Sequence, residues 1–445
     1  MSTRRPVWAL EVLIVGLAVH NLVMAELWKA GVRGAALSTV AAWKDVLLLV
    51  ALVLVVRAGG LRRPETVVDW LALLFAALVI VYGVLPQSWL GGGATHRGVL
   101  YAARHDLLPV AAYFLGRGLQ LTERERGRLC KTALLTAAFV ALYGLIDVYA
   151  VPLSWWRHSG APGWFQDQLG LRYRGLSGLP ENFVYNAGGG NVFRRLTSTF
   201  LSPLATAYML VVAMFFIPPR ARWGVPLGVL LFAALLWTHT RAGLLALVIG
   251  LVVLALTQRR WRLVIVAAVV TAIGLAFVKG YTHFGPRTHF TASELRYQEH
   301  HAATSGAGSN DATSANDSST KEHLSSLRDG LRTVFHHPWG YGLGNAGVTA
   351  ARTHVQVKAG ESTYTELGVE VGLVGALAFV AWTLLLLWDT LARVRWIGAA
   401  LAAVLFLGLQ TDIIGVPWIA VVVFALAGDA VSPRRVTPVL HARAS

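Results

Sequence analysis

Several arginines stand beside apolar runs in this sequence, where a charge is costly. Arg241 follows Thr240 in WTHTRAGLLAL, between two apolar runs that have almost no polar linker. An arginine there either reaches toward lipid headgroups or clamps an anion, because its guanidinium is always charged and offers a fork of donors to phosphate oxygens. Arg194 and Arg195 precede a hydroxyl-rich helix start, which adds further donors for an anion. These arginines predict a diphosphate-binding site.

A further charged group lies inside an apolar run. Arg104 is followed directly by His105 and Asp106. Two interpretations stay open for Arg104: a structural pair with Asp106, and a contact with the substrate diphosphate.

A carboxylate supplies the candidate base. Glu361 stands immediately before an apolar run, and Glu366 and Glu370 follow within that run. A carboxylate at the water boundary can take a proton from a hydroxyl within hydrogen-bond reach. We expect Glu370 to be buried structure.

The histidines of the same polar stretch are the alternative bases. His354 and the pair His336 and His337 lie in this stretch, where surface or helix-capping roles compete with catalysis. Neither HExxH nor a supported DxD motif is present, so we expect metal-independent chemistry without a cofactor. Arginines can neutralise a leaving diphosphate in place of Mg²⁺.

The elements that position these residues are apolar helices. The chain is 55% hydrophobic and 14% charged, with a mean hydropathy of +0.56, which indicates an integral membrane protein. The formal net charge of +16 lies mostly between apolar runs, so we read it as topogenic and expect no nucleic acid partner. The single cysteine, Cys130, excludes an internal disulfide.

Twelve apolar runs approach the roughly 20 residues that a membrane-spanning helix requires. They are 7–25, 42–57, 66–86, 99–116, 131–151, 199–217, 224–239, 241–257, 262–279, 365–388, 396–411 and 413–430. The fold class is therefore an all-α polytopic membrane protein with about twelve transmembrane helices, of which the last two are the weakest.

Basic residues give the orientation. They cluster in alternate connections, Arg117 and Arg126 among them, which predicts cytoplasmic connections and two cytoplasmic termini. The chain then divides into nine helices over 1–279, a long extracytoplasmic loop over 280–364, and three helices with a cytoplasmic tail over 365–445. Residues 304–320 have the composition of a disordered insert.

A second outer loop, 152–198, carries tryptophans and glycines. Trp155, Trp156 and Trp164 predict an aromatic belt at the membrane interface, with stacking on a sugar ring as the alternative. The glycine-rich AGGGN at 187–191 predicts a flexible segment and lacks the context of a nucleotide-binding loop.

Three segments resemble motifs of the bacterial O-antigen ligase and O-antigen polymerase superfamily, in the family's order. They are RRLTSTFLSPLATAYML, WTHTRAGLLAL, and HHPWGYGLGNAG followed by ESTYTELGVEVGLVG. The number and order of the predicted helices agree as well, so the resemblance covers most of the chain.

The resemblance implies a membrane glycosyltransferase of the second GT-C class (class B). Such enzymes transfer an undecaprenyl diphosphate-linked oligosaccharide, with inversion, to a glycan or glycolipid acceptor at the outer face of the bacterial cytoplasmic membrane. Arg195 and Arg241 match the family's diphosphate-binding arginines. Tyr364, Thr240 and Trp339 lie in the motifs and are the substrate-binding candidates.

One position departs from the family pattern. Aligning Tyr364 with the motif tyrosine puts Glu361 where lipopolysaccharide ligases carry a histidine. This departure favours polymerisation or another acceptor, and it leaves the base open between Glu361, His354 and the His336–His337 pair.

Other functions remain as alternatives. A protein O-oligosaccharyltransferase shares these motifs, and a cell-wall glycan polymerase of the shape and division group would also use an acid in an outer loop. A transporter or lipid flippase fits the helix count, but no inverted repeat is evident and the unexplained charges lie at the outer boundary.

The enzymatic interpretation makes a geometric prediction. Arg195, Arg241 and Glu361 should line one pocket, although they are far apart in sequence. A helix near 322–336 and the HPWGYGLGN turn should fold over that pocket as a lid.

Overall fold

The structure is a computed structural model that describes residues 6–61, 63–188, 190–219, 221–305 and 318–432. The predicted insert at 304–320 and the tail beyond residue 432 lie largely outside the described residues.

Helices dominate the described chain. Those of six or more residues are α1 Val7–Lys29, α2 Gly34–Ala41, α3 Trp43–Arg57, α4 Val67–Val84, α5 His96–Leu119, α6 Glu123–Ala150, α7 Pro203–Phe215, α8 Gly224–Trp237, α9 Arg241–Gln258, α10 Trp261–Phe284, α11 Ala292–Ser305, α12 Ser318–His336, α13 Gly347–Arg352, α14 Thr363–Arg393, α15 Arg395–Leu407 and α16 Pro417–Ala430.

Each of the twelve predicted apolar runs coincides with a helix of this set. Among the described residues, seven helical segments are long and apolar enough to cross a membrane, with α2 and α3 counting as one segment. Helices α7, α8, α15 and α16 are apolar but shorter. A mostly helical, multi-pass membrane protein is therefore confirmed, whereas the count of twelve crossings stays a prediction.

Small residues let α5 and α16 approach closely. A Cβ atom on Gly116 would lie 1.8 Å from the carbonyl oxygen of Ala425, and one on Gly428 would lie 2.2 Å from that of Tyr113. Close backbone approach at glycine is a common source of helix association in membranes.

Buried ion pairs join helices at the end of the bundle where α5 leads into α6. Arg117 contacts Asp69 at 2.6 Å, and Arg126 contacts Asp429 at 2.7 Å. All four side chains are buried. Because a buried charge that loses its partner is strongly destabilising, Arg117 and Arg126 hold helices together in addition to any topogenic role.

The described parts of the two long polar segments, 152–202 and 285–362, form one structure at the opposite end of α5 and α6, which we call the cap. A small antiparallel sheet joins them in the order β1 Val184–Asn186, β2 Val192–Arg194 and β3 Arg287–Thr288. Val184 pairs with Arg194, and Val192 pairs with Thr288. The described residues of the glycine-rich segment 187–191 lie between β1 and β2, where the Ala187 amide donates to the Asn191 carbonyl.

The aromatic-belt prediction is wrong for two of the three tryptophans. Trp156 and Trp164 are buried in the apolar core of the cap, whereas Trp155 is 43% exposed. Trp156 also donates from Nε1 to Asp147 at 2.7 Å. The segment is long enough to fold on itself, so these rings cover other apolar side chains instead of lipid.

Helix α14 is broken within its first third. Val371 and Gly372 leave the helical conformation, and Gly372 has φ of +72°. The segment Pro338–Tyr341 fills the break, because the Tyr341 amide donates to Val369 and the Leu373 amide donates to Pro338. A Cβ atom on Gly340 would lie 2.6 Å from the Gly372 nitrogen, so only glycine fits there. The HPWGYGLGN turn is therefore anchored inside α14, rather than lying over the bundle as a lid.

Candidate functional site

Arg195 braces the turn between α8 and α9. Its Nε donates to the Thr238 carbonyl at 2.9 Å, and one Nη atom donates to Thr240 Oγ1 at 3.1 Å and to the His239 carbonyl at 3.3 Å. Thr240 is itself buried. The turn leads directly into α9, whose first residue is Arg241. Arg195 thus fixes the position from which Arg241 begins its helix.

The two arginines act on each other electrostatically. Burial lowers the pKa of Arg195 to about 10, and the charge of Arg241 acts in the same direction. Arg195 therefore stays charged at neutral pH. Two guanidiniums held together at a helix start, where amide donors are also unsatisfied within the helix, form a suitable environment for an anion.

Arg194 points elsewhere. It belongs to β2, is buried, and contacts Asp147 at 3.2 Å. Its backbone amide donates to the Pro286 carbonyl at 2.7 Å, and its carbonyl accepts from the Tyr281 hydroxyl. These contacts tie the cap to the helices, which is a structural role different from the predicted diphosphate contact.

Arg104 has a different partner from the one considered in the sequence. It contacts Asp45 at 2.8 Å, whereas Asp106 accepts a hydrogen bond from His105 Nδ1 at 2.8 Å. The Arg104–Asp106 pair is therefore wrong. Asp45 can reach Arg104 because the helix pair α3 and α5 packs together.

Glu361 lies beside a residue that the sequence did not single out. Its Oε2 is 2.8 Å from Nδ1 of His323 on α12. Glu361 has φ of +66°, a left-handed conformation that is uncommon for a residue other than glycine and is often found at functional sites. No motif connects His323 to Glu361, so only the packing of α12 reveals the pair.

Glu361 and His323 shift each other's pKa. The hydrogen bond from His323 lowers the pKa of Glu361, and the same bond raises the pKa of His323. The charge of Arg241 opposes the rise at His323, which places Arg241 within electrostatic range of the pair. Electrostatic interactions thus link Arg195 to Arg241, and Arg241 to the pair formed by His323 and Glu361.

Helix α12 reaches Glu361 because it packs on the first turns of α14. A Cβ atom on Gly330 would lie 2.9 Å from Thr365, and one on Gly368 would lie 2.6 Å from Val334. The predicted helix near 322–336 is therefore present and covers the start of α14.

The start of α14 is fastened to the loop after α15. Ser362 Oγ donates to the Gly408 carbonyl at 3.1 Å, and Thr363 Oγ1 accepts from the Ile413 amide at 2.9 Å. The hydroxyl of Tyr364, a predicted substrate contact, donates to the Leu405 carbonyl at 2.7 Å. Tyr364 thus anchors the helix that carries Glu361.

A buried polar cluster supports this loop from α5. His105 contacts Asp106 at 2.8 Å and Asp412 at 2.9 Å, which links the loop after α15 to α5. Glu366 and Glu370 are buried nearby on α14, and Glu370 accepts from the Gly344 amide at 2.8 Å. The prediction that Glu370 is buried structure is confirmed.

The predicted histidines lie in three different settings. His336 lies at the end of α12, where Nδ1 donates to the Arg332 carbonyl at 2.8 Å. His337 donates from Nε2 to the Leu90 carbonyl at 3.0 Å and stacks on Tyr341. His354 lines a separate cavity in the cap. None of these contacts joins a histidine of this set to Glu361.

The side chain of Trp339 is 71% exposed, while its carbonyl accepts from Tyr82 at 2.6 Å. The backbone of this residue anchors the turn, and its ring faces away from the protein. Its contact with substrate stays a prediction.

Within the part of the chain that the structure describes, no group of three or more His, Cys, Asp or Glu side chains is placed to hold a metal ion. Metal independence itself stays a prediction.

Residues 226–380 match the protein-family model described as O-Antigen ligase. The matched segment runs from α8 into α14 and contains Arg241, His323 and Glu361, while Arg195 precedes it. No curated protein matches the chain.

Proposed function

Because the match over residues 226–380 supports the O-antigen ligase and polymerase superfamily, we propose that this protein is a membrane glycosyltransferase of surface-polysaccharide synthesis. It transfers a glycan from an undecaprenyl diphosphate-linked donor to a hydroxyl of an acceptor glycan, with inversion and without a metal ion. One observation carries the proposal. Arg195 hydrogen-bonds to the turn that leads into Arg241, and the charge of Arg241 acts on His323, the partner of Glu361.

The arginines hold the leaving group. Arg195 and Arg241 bind the diphosphate, and the amides at the start of α9 add donors. Charge develops on the bridging oxygen as the glycosidic bond to the diphosphate breaks. Guanidiniums already fixed in place stabilise that charge without reorganisation.

The Glu361–His323 pair removes the proton. The acceptor oxygen forms a bond to the anomeric carbon as the bond to the diphosphate breaks, and the hydroxyl proton passes to the base. In this arrangement Glu361 accepts from His323 Nδ1, which leaves His323 Nε2 as the proton acceptor. Glu361 orients the imidazole of His323 and stabilises the positive charge that it gains with the proton. Undecaprenyl diphosphate is the leaving group.

The membrane arrangement follows from the same proposal. We place both termini in the cytoplasm, twelve helices across the bacterial cytoplasmic membrane in a GT-C class B bundle, and the cap outside. The polyprenyl donor would then enter along the bilayer and meet the acceptor at the base of the cap.

The test is transfer in membranes from an undecaprenyl diphosphate-linked oligosaccharide to a labelled acceptor. Arg241→Ala and Arg195→Ala should each reduce transfer at least about 100-fold, because each removes a preorganised donor to the developing charge. Arg287→Ala is the matched control, since Arg287 is an exposed arginine on β3. Wild-type transfer by the Arg241→Ala variant at equal membrane level would refute the proposal.

Product length separates the two activities of the family. A polymerase yields a ladder of products that grows by one repeat unit, whereas a ligase yields single additions to a lipid acceptor. Because Glu361 replaces the ligase histidine, we expect the ladder.

A further inference from the structure

A polar cavity lies between the cap and the start of α5. Its volume is about 450 Å³, within the range of small-molecule sites. Three segments meet there: the start of α5, the loop at 166–172, and the end of α13. The lining residues are Thr95, Arg97, Gln166, Asp167, Gln168, Leu169, Gly170, Arg172, Arg352, Thr353 and His354.

The cavity concentrates positive charge. Arg97, Arg172 and Arg352 contribute three guanidiniums, against the single carboxylate of Asp167. Burial lowers the pKa of Arg352, and the charges of Arg104 and Arg97 act in the same direction. Like charges held together repel each other, and an anion among them relieves that repulsion.

Two of these arginines are positioned by one tyrosine. Arg352 stacks over the ring of Tyr101 at 4.7 Å and donates from Nε to the Leu169 carbonyl at 3.1 Å. Arg97 donates from Nε to the Tyr101 hydroxyl at 2.7 Å. Contacts within the protein thus hold both arginines in place, which reduces the entropic cost of binding.

The other lining groups select the class of anion. Gln166, Gln168 and Thr95 can donate to and accept from hydroxyls. The Asp167 carboxylate accepts from hydroxyls and would repel a bare phosphate. Arginines combined with amides and one carboxylate match a ring that carries both hydroxyls and one negative group.

We propose that this cavity binds an acidic sugar residue of the glycan substrate, such as a uronic acid. The inference rests on the proposed function, since it names the class of saccharide that the enzyme handles. His354 then belongs to saccharide recognition, and Arg172 and Arg97 are the residues that bind the carboxylate.

Direct binding tests this without catalysis. The full-length protein is reconstituted in phosphatidylcholine nanodiscs and titrated with tetragalacturonate or with neutral cellotetraose. The acidic tetramer should bind at least about tenfold more tightly, because a charged hydrogen bond is worth about that factor. Arg172→Ala and Arg97→Ala should each remove most of this preference, whereas the control Arg287→Ala should keep it.

Two further arms decide the outcome. Arg241→Ala should bind tetragalacturonate normally even though transfer is lost, so failure of the proposed reaction and failure of this site give different results. Equal binding of both tetramers, or unchanged binding by the Arg172→Ala variant, would overturn the inference. Loss of binding to phosphatidylglycerol vesicles by the arginine variants, with oligosaccharide binding unchanged, would assign the site to a lipid headgroup instead.

Discussion

Glu361 contacts a histidine from another helix, His323. This histidine lies on α12. A carboxylate whose pKa is lowered is a weak base and a good partner for an imidazole. For this reason our proposal gives the proton transfer to the pair rather than to Glu361 alone.

The pH dependence of transfer tests the pair. His323 accepts a proton only when neutral, and Glu361 raises its pKa, so transfer should fall as pH drops through a value above about 6.5. In Glu361→Gln the pKa of His323 should fall, which moves the acid limb to lower pH while the maximal rate decreases. His323→Gln should reduce kcat about 100-fold.

The measurement is kcat/KM as a function of pH for the wild type and both variants. His336→Gln, at the far end of the same helix, is the control. An acid limb that stays in place in Glu361→Gln would contradict the assignment of His323 as the proton acceptor.

Residue types alone singled out part of this candidate site. Arg195 and Arg241 stand out because a charged guanidinium at the edge of an apolar run is energetically costly. Glu361 stands out because of its position in a motif. His323 did not stand out, because a histidine in a polar segment is neither costly nor part of a motif. Its role depends on the packing of Gly330 and Gly368, which brings α12 to α14.

At the scale of elements, the cap depends on one buried carboxylate. Glu294, at the start of α11, receives two hydrogen bonds from Arg157, at 2.6 and 3.0 Å, and one from Ser177 at 2.6 Å. It also accepts from the Thr291 amide at 2.8 Å. These bonds join segment 152–202 to segment 285–362.

Loss of that carboxylate should loosen the cap. Glu294→Gln should destabilise it by about 3 kcal/mol, because the partly buried Arg157 loses its counter-charge. Hydrogen–deuterium exchange of the strands at 184–186 and 192–194 should rise in this variant. Glu299→Gln, an exposed position on the same helix, is the control and should exchange like the wild type.

The same carboxylate gives a pH dependence of known sign. Burial raises the pKa of Glu294, but the bonds from Ser177, Thr291 and Arg157 outweigh burial and lower it overall. A lowered folded-state pKa contributes stability above the unfolded value, and that stability is lost as pH falls through the folded value. Exchange in the cap should therefore increase only in acid, at pH values below the ordinary pKa of a glutamate. An unchanged cap in Glu294→Gln at neutral pH would contradict this account.

The helices and the cap differ in how far they could be predicted. An apolar run of sufficient length almost always forms a helix in a membrane, so each predicted run coincides with a helix. The sheet in the cap, the burial of Trp156 and the break in α14 depend on pairing between distant segments. Periodicity carries no signal for such pairings.

At the scale of the whole molecule, orientation is the open prediction. Cysteine labelling checks it, starting from a variant in which Cys130 is replaced by Ser. A membrane-impermeant maleimide should label intact cells that carry Arg287→Cys in the cap, and should label Arg259→Cys, at the end of α9, only after lysis. Both arginines are exposed. The reverse labelling pattern would place the cap in the cytoplasm and contradict the proposed function.

The break in α14 also bears on how the chain assembles. At Val371 and Gly372 the helix loses its regular ladder, and backbone groups without partners cost several kcal/mol each in a lipid environment. The segment Pro338–Tyr341 supplies those partners, and it leaves the ribosome before α14 does. Helices α14 to α16 would then enter the membrane against a segment that is already synthesised, so a chain with a damaged HPWGYG segment should fail during insertion rather than during catalysis.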